Sequence, residues 1–159
     1  MVYRELLKDD FERLPAPLRR FHSSARGRAR GLIFVRHRNR ALARLLGFPA
    51  AGENIAADLE VTATDRGEIW TRRFGNHVMR SLQRCERGLL VETMGPIRLQ
   101  FRVTADAAGL SLKSEGVRYL GVPVPIQLRA TERGCGSGWE FAVDVPHVAS
   151  YGGAMELLP

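Results

Sequence analysis

Period two places four chemically able side chains on one side of a single run: Glu68, Trp70, Arg72 and Phe74 alternate with Ile69, Thr71 and Arg73. A carboxylate and a guanidinium two pleats apart among aromatic rings have two possible settings. Turned inward, Glu68 and Arg72 are desolvated and need partners, and Glu92 on a nearby run is the candidate. Such a cluster would bind a small molecule, with Arg72 or Glu68 orienting its polar end and Phe101, Trp139 and Phe141 completing an apolar lining. Turned outward, Trp70 and Phe74 pack beneath other elements and the charges are solvated. The spacing alone leaves both settings open.

A second pattern runs from Arg26 to Arg40. Its even positions read Arg26, Arg28, Arg30, Leu32, Phe34, Arg36, Arg38, Arg40, and its odd positions Gly27, Ala29, Gly31, Ile33, Val35, His37. In an extended chain this is a row of arginines opposite a small or apolar face. Arg28, Arg30, Arg36 and Arg38 could hold phosphates or anionic lipid headgroups. The plainer expectation is an edge strand that uses charge to avoid pairing with other chains. The row sits in a biased half: residues 1–50 hold 12 Lys/Arg and 4 Asp/Glu, residues 51–159 hold 12 and 13. A local excess of that kind suggests an anionic partner.

Other constellations carry less. His22, His37, His77 and His147 stand at no metal-ligand spacing from one another or from Cys85 and Cys135, so no metal or cofactor is expected. His77 and Ser81 share a strand face but lie too far apart for a nucleophile–base pair, and nothing near Cys85 argues for a reactive thiolate. Neither a nucleophile elbow nor a phosphate loop is present.

The elements that must position these residues are legible from punctuation. Alternating runs recur from Leu59 onward, closed by turns at Asp65-Arg66-Gly67, Gly75-Asn76, Glu86-Arg87-Gly88, Gly95-Pro96, Asp106–Gly109 and Gly134–Gly138. They predict a mainly β (α+β) fold: an antiparallel meander of about eight to nine strands, strongly curved or closed into a barrel. Two or three N-terminal helices should pack on it. Val2, Leu6, Leu7, Phe11 and Leu14 mark one amphipathic helix ended by Pro15 and Pro17, with a short second turn at Leu18 and Phe21. Asn39 should cap a further helix stopped by Gly47, residues 50–56 form a connector, and Tyr151 to Leu158 closes the sheet. Gly121-Val122-Pro123-Val124-Pro125 cannot sit in a central ladder and reads as a corner or as the rim of a pocket mouth.

With 159 residues, 45% of them hydrophobic, the chain predicts one domain (a basic helical and edge-strand segment, 1–50, and a β-meander, 51–159) that needs no staples. Acids at Glu5, Asp9 and Asp10 occupy the place of a signal peptide's apolar stretch, which points to a cytoplasmic protein.

Several blocks, taken in order, resemble the bacterial family called domain of unknown function 4166: Leu14 to His22, Leu45 to Pro49, Gly67 to Gly75, Gly88 to Glu92, Gly95-Pro96-Ile97, Gly109-Leu110 and Leu120 to Pro125. The resemblance spans the chain. It implies an accessory role, because that family occurs alone and also fused behind domains related to saccharopine dehydrogenase, and it supplies no catalytic residues. Pro146 to Ala154 is shorter than the family's usual ending and lacks its Tyr-Arg-Gly-Trp-like finish.

Three function classes follow. The first is a non-catalytic module enclosing an apolar or amphipathic small molecule, a lipid among the candidates, in a cavity of roughly 300 Å³ or more. The second is an interaction domain that docks on a dehydrogenase-like partner or an anionic surface such as a membrane through the arginine row. The third is an enzyme using Glu68, Glu92 or His147 as acid or base. Nucleic acid is disfavoured, since no stacking aromatics accompany the arginines.

Overall fold

The computed structural model describes all 159 residues. Eleven strands follow one another: β1 (Arg26–His37), β2 (Gly52–Thr64), β3 (Gly67–Phe74), β4 (His77–Glu86), β5 (Leu89–Met94), β6 (Ile97–Ala105), β7 (Gly109–Tyr119), β8 (Val122–Pro123), β9 (Arg129–Cys135), β10 (Gly138–Val145) and β11 (Ala149–Leu157). All neighbours pair antiparallel. The order β6-β5-β4-β3-β2-β1-β11-β10-β9-β7 closes on itself through β6–β7, giving a ten-stranded up-and-down barrel. The short β8 hangs on β7 outside the ring.

Ring closure corrects one expectation. β1 is no edge strand: it pairs with β2 on one side and β11 on the other. Its arginines do point outward, with Gly27, Ala29, Ile33 and Val35 buried on the inner face. The small residues there admit a helix: a Cβ on Gly27 would come within 3.1 Å of the Phe21 ring. Where β1 meets β11 the backbones approach more closely still. A Cβ on Gly153 would meet the Leu32 carbonyl oxygen at 2.1 Å, so glycine is required by contact rather than by a turn.

Two further boundaries move. The supposed connector is strand, because β2 begins at Gly52 and takes up a register shift opposite Ile33 and Val35, with Asn54 at φ 54°. The expected N-terminal helix is two pieces, α1 (Val2–Leu7) and a 3₁₀ turn (Lys8–Arg13), broken where Lys8 adopts φ 50°, ψ −120°. The break redirects the chain so that Phe11 and Leu14 are buried along with Tyr3 and Leu7. α2 (Ala16–Ser23) follows with Pro17 in its first turn, where its missing N–H costs nothing.

Barrel width explains why these helices are inside. About eight strands give an interior that side chains can fill, and ten give a wider one. The helical segment plugs one end, burying Tyr3, Phe11, Leu18 and Phe21 to 2% exposure or less. Phe21 sits 4.8 Å from the Trp139 ring and 5.7 Å from Trp70, centroid to centroid. The turns β2–β3, β4–β5, β6–β7 and β9–β10 lie at this plugged end. The other connections lie at the opposite, open end, including α3 (Arg40–Leu45), which the Asn39 side chain caps by accepting from the Leu42 N–H at 3.1 Å.

Outside, the barrel wall carries charged pairs such as Arg30–Asp58 and Arg102–Glu115. An apolar interior with a charged exterior is the reverse of a membrane-spanning barrel. No helix is long and apolar enough to cross a membrane.

Candidate functional site

Between the helical plug and the open end lies a cavity of about 150 Å³, lined by 26 residues of which 22 are hydrophobic. That is half the expected volume. An apolar space of this size accommodates a benzene-sized guest. Its length is set by the strands: Glu132 on β9 and Leu128 just before that strand both line it, and four residues at ~3.3 Å of rise span about 13 Å.

The face of β3 settles which way the first constellation points. Trp70, Arg72 and Phe74 project inward, and with Glu92, Phe101, Trp139 and Phe141 they line the cavity. Glu68 is buried but lies outside the lining: its Oε1 accepts the Val2 backbone N–H at 2.8 Å. A carboxylate at that point satisfies an orphan donor at the first turn of α1 and fixes the plug to β3.

Pairing register builds the polar centre. Arg72 lies opposite Met79 and Trp70 opposite Ser81, so Ser81 is diagonal to Arg72 on the inner face. Gln83 is directly opposite Glu92. The Arg72 guanidinium donates to Ser81 Oγ at 2.9 Å and lies 3.0 Å from Glu92 Oε1, while Ser81 donates to the same oxygen at 2.5 Å. Its Cζ stands 5.0 Å from the Trp70 ring. The two ionic side chains are only 15% and 10% exposed. Burial, the largest single influence, would lower the Arg72 pKa, but the Glu92 carboxylate together with Tyr151 and Tyr3 outweighs it and the net shift is upward. The guanidinium is therefore a permanent charge already matched by a carboxylate.

Other polar groups surround this pair. Burial holds the Tyr3 phenol well above its ordinary pKa, reinforced by the charges of Glu132, Glu92 and Glu68. Tyr151 is also raised, by burial first, with Arg72 opposing and Glu92 adding. Both stay un-ionised and keep an O–H to donate. His22 Nε2 lies 2.8 Å from Glu132 Oε2, and its ring is 4.1 Å from that of Tyr3. Two buried atoms on lining residues, Trp70 Nε1 and Gln83 Oε1, have no hydrogen-bond partner.

Half of the six-arginine row is paired with acids. Arg30 donates to Asp58 at 2.9 Å, Arg36 lies 3.4 Å from Glu53 and Arg38 2.6 Å from Asp144. Arg28 has no carboxylate within 4.0 Å. The acids come from β2 and β10, which the reading of an isolated edge strand did not place beside the row. The Cys85 thiol is pushed up by burial and by Glu5, against reactivity. His37 and His77 bond the carbonyls of Pro49 and Gly47, fastening the α3 segment across the mouth.

Sequence reading missed Tyr3, Gln83, Glu132 and Tyr151. For Gln83 and Glu132 the signal existed. Each is one period-two step from another residue of the inner face, Ser81 on β4 and Ala130 on β9.

No family model, curated protein or solved structure matches this chain.

Proposed function

We propose that this protein is a non-catalytic binding module that holds a small amphipathic molecule, or the end of a longer one, inside its barrel. The observation that supports this reading is the apolar cavity with a polar centre on its wall, lined from Tyr3 of the plug to Leu46 and Phe48 at the opposite end. Carboxyl groups outnumber basic groups in the cavity lining: Glu92 and Glu132 stand against Arg72. An anionic head would meet Glu92 and Glu132 along with an Arg72 already paired. A neutral alcohol, carbonyl or amide head instead finds Tyr3 and Tyr151 as donors and Gln83 as an acceptor. The favoured ligand is therefore a neutral-headed lipid-like molecule with an aliphatic tail directed toward Phe74, Met94 and Leu128.

The test is native mass spectrometry of the protein from its own host, followed by denaturing extraction. A bound neutral amphipath that disappears in Ala130→Phe, which extends a ring into the cavity, supports the reading. A bare chain that also fails to take up a long-chain alcohol in titration refutes it.

A further inference from the structure

The open end of the barrel has a surface unlike the rest of the molecule. The segments that form it are residues 38–51, 74–81, 93–98, 117–128 and 144–151, and they contain six arginines and a single acid, Asp144. The plugged end, residues 1–25, 62–69, 84–90, 103–111 and 132–140, holds nine Lys/Arg and ten Asp/Glu. Of the six, Arg38 and Arg98 are paired with Asp144 and Glu86. Arg40, Arg44, Arg80 and Arg118 have no carboxylate within 4.0 Å.

Apolar exposure is concentrated at the same end. Seven large hydrophobic side chains are exposed, and five of them are here: Leu42 and Leu45 on α3, Val78 at the start of β4, and Leu120 and Val122 in the β7–β8 turn. Leu120 is the extreme case at 73% exposure. It adopts φ 50° ahead of Gly121 at φ 81°, a position where Asn or Gly is the usual occupant and leucine is strained. Exposure and strain both disfavour leucine in the isolated molecule.

We propose that this rim docks on an anionic lipid bilayer, the arginines meeting headgroup phosphates while Leu45, Leu120 and their neighbours enter the headgroup–acyl boundary. The inference rests on the cavity reading, because docking there would let a lipid-like ligand pass between bilayer and barrel without crossing water. A bilayer suits the surface better than an acidic protein does. The exposed groups are separate aliphatic side chains on three loops around a mouth, without the central aromatic anchors of a protein interface. Interfacial insertion needs only such side chains backed by basic residues.

The experiment is sedimentation with phosphatidylcholine vesicles, with and without phosphatidylserine, beside titration of the same preparations with an apolar fluorophore that reports the cavity. The protein should sediment with the anionic vesicles and be released by about 1 M salt. At roughly fivefold per basic residue, R40E/R44E should weaken binding at least about 25-fold. Leu45→Asp and Leu120→Asp should weaken it several-fold, while R28E/R30E on the barrel wall should stay within about twofold. All these positions are exposed, and circular dichroism verifies folding. Equal sedimentation with neutral vesicles, a wall variant as weak as the rim variant, or capture by poly-glutamate but not by anionic vesicles would overturn the proposal. If the fluorophore enters and vesicles do not bind, docking alone fails. If vesicles bind and the fluorophore does not enter, the cavity reading fails and docking stands.

Discussion

Replacing Arg72 by methionine tests whether the polar centre is the buried, mutually dependent pair that its geometry indicates. Methionine keeps an apolar stem of similar reach, so the change removes charge and hydrogen bonds more than volume. At 3.0 Å and an effective dielectric of ~20, the lost attraction to Glu92 is about 5.5 kcal/mol. The side chains are mostly buried, so solvent screening removes little of it. The stranded carboxyl has an alternative, however. Taking up a proton at pH 7 costs an ordinary glutamic acid, titrating near ~4.3, about 3.7 kcal/mol, which caps the penalty. Arg72→Met should therefore lose about 3–4 kcal/mol at pH 7 in urea or guanidinium unfolding. The sign of the pH dependence follows. The folded variant then carries a proton that the unfolded chain does not, so acidification stabilises the variant relative to wild type by about 1.4 kcal/mol per pH unit down to about pH 5. R72M/E92M, which removes both charges, should recover most of the loss. A single-variant loss below about 1 kcal/mol, or one independent of pH, would show that the pair is solvated and that the cavity centre has been misread. A double variant as unstable as the single one would show that packing, not charge, is what Arg72 supplies.

Three further outcomes follow from the same structure. The Tyr3 and Tyr151 phenols are raised in the folded state, so the stability they confer is complete below the unfolded value near 10 and is lost as pH climbs past it; alkaline unfolding followed by fluorescence should be shallower in Tyr3→Phe and Tyr151→Phe. Ala130→Phe should abolish uptake of an apolar fluorophore at a cost of at most ~1 kcal/mol in Tm-based stability, because the ring enters existing space. Gly153→Ala should cost about 3 kcal/mol, since its methyl would collide with the Leu32 carbonyl across the β1–β11 pairing, and a cost below ~1 kcal/mol would mean that the two strands yield there.

Legibility from sequence divided along a physical line. What depends on neighbours along the chain was readable: the alternation of β3, β6 and β10, the turns between them, the Asn39 cap and the outward row of arginines. The sequence marks a helix from Asn39 to Gly47 and a proline-marked break at Gly121 to Pro125, but not that the two belong to one basic rim. What depends on closure was not readable. Nothing local says that β11 returns to β1, so the row read as an edge, and the acids that pair with half of it were invisible as its partners. Tyr3 belongs to the same class. It stands off the helical stripe and reaches the cavity only because the chain breaks at Lys8 and the plug turns into the barrel.

The two ends of the barrel divide the physical work between them. The plugged end is over-determined: Glu68 ties down Val2, His22 is held between Glu132 and Tyr3, and Phe21 is wedged between both tryptophans. The open end has few such ties. α3 is one short helix held by Asn39, by Arg38 on Asp144, and by two histidine-to-carbonyl bonds, with Ala43 seated against Val145, Val148 and Ala149. Local opening takes the weakest-held element first. Entry to the cavity should therefore come through displacement of the α3 segment, whose Leu46 and Phe48 already form part of the lining. His77→Ala, which removes its bond to the Gly47 carbonyl, should speed fluorophore uptake and release together while leaving the equilibrium affinity nearly unchanged. If uptake is unaltered in that variant and accelerated instead by Glu68→Gln, which loosens the plug, the ligand enters from the helical end and the assignment of the mouth is wrong.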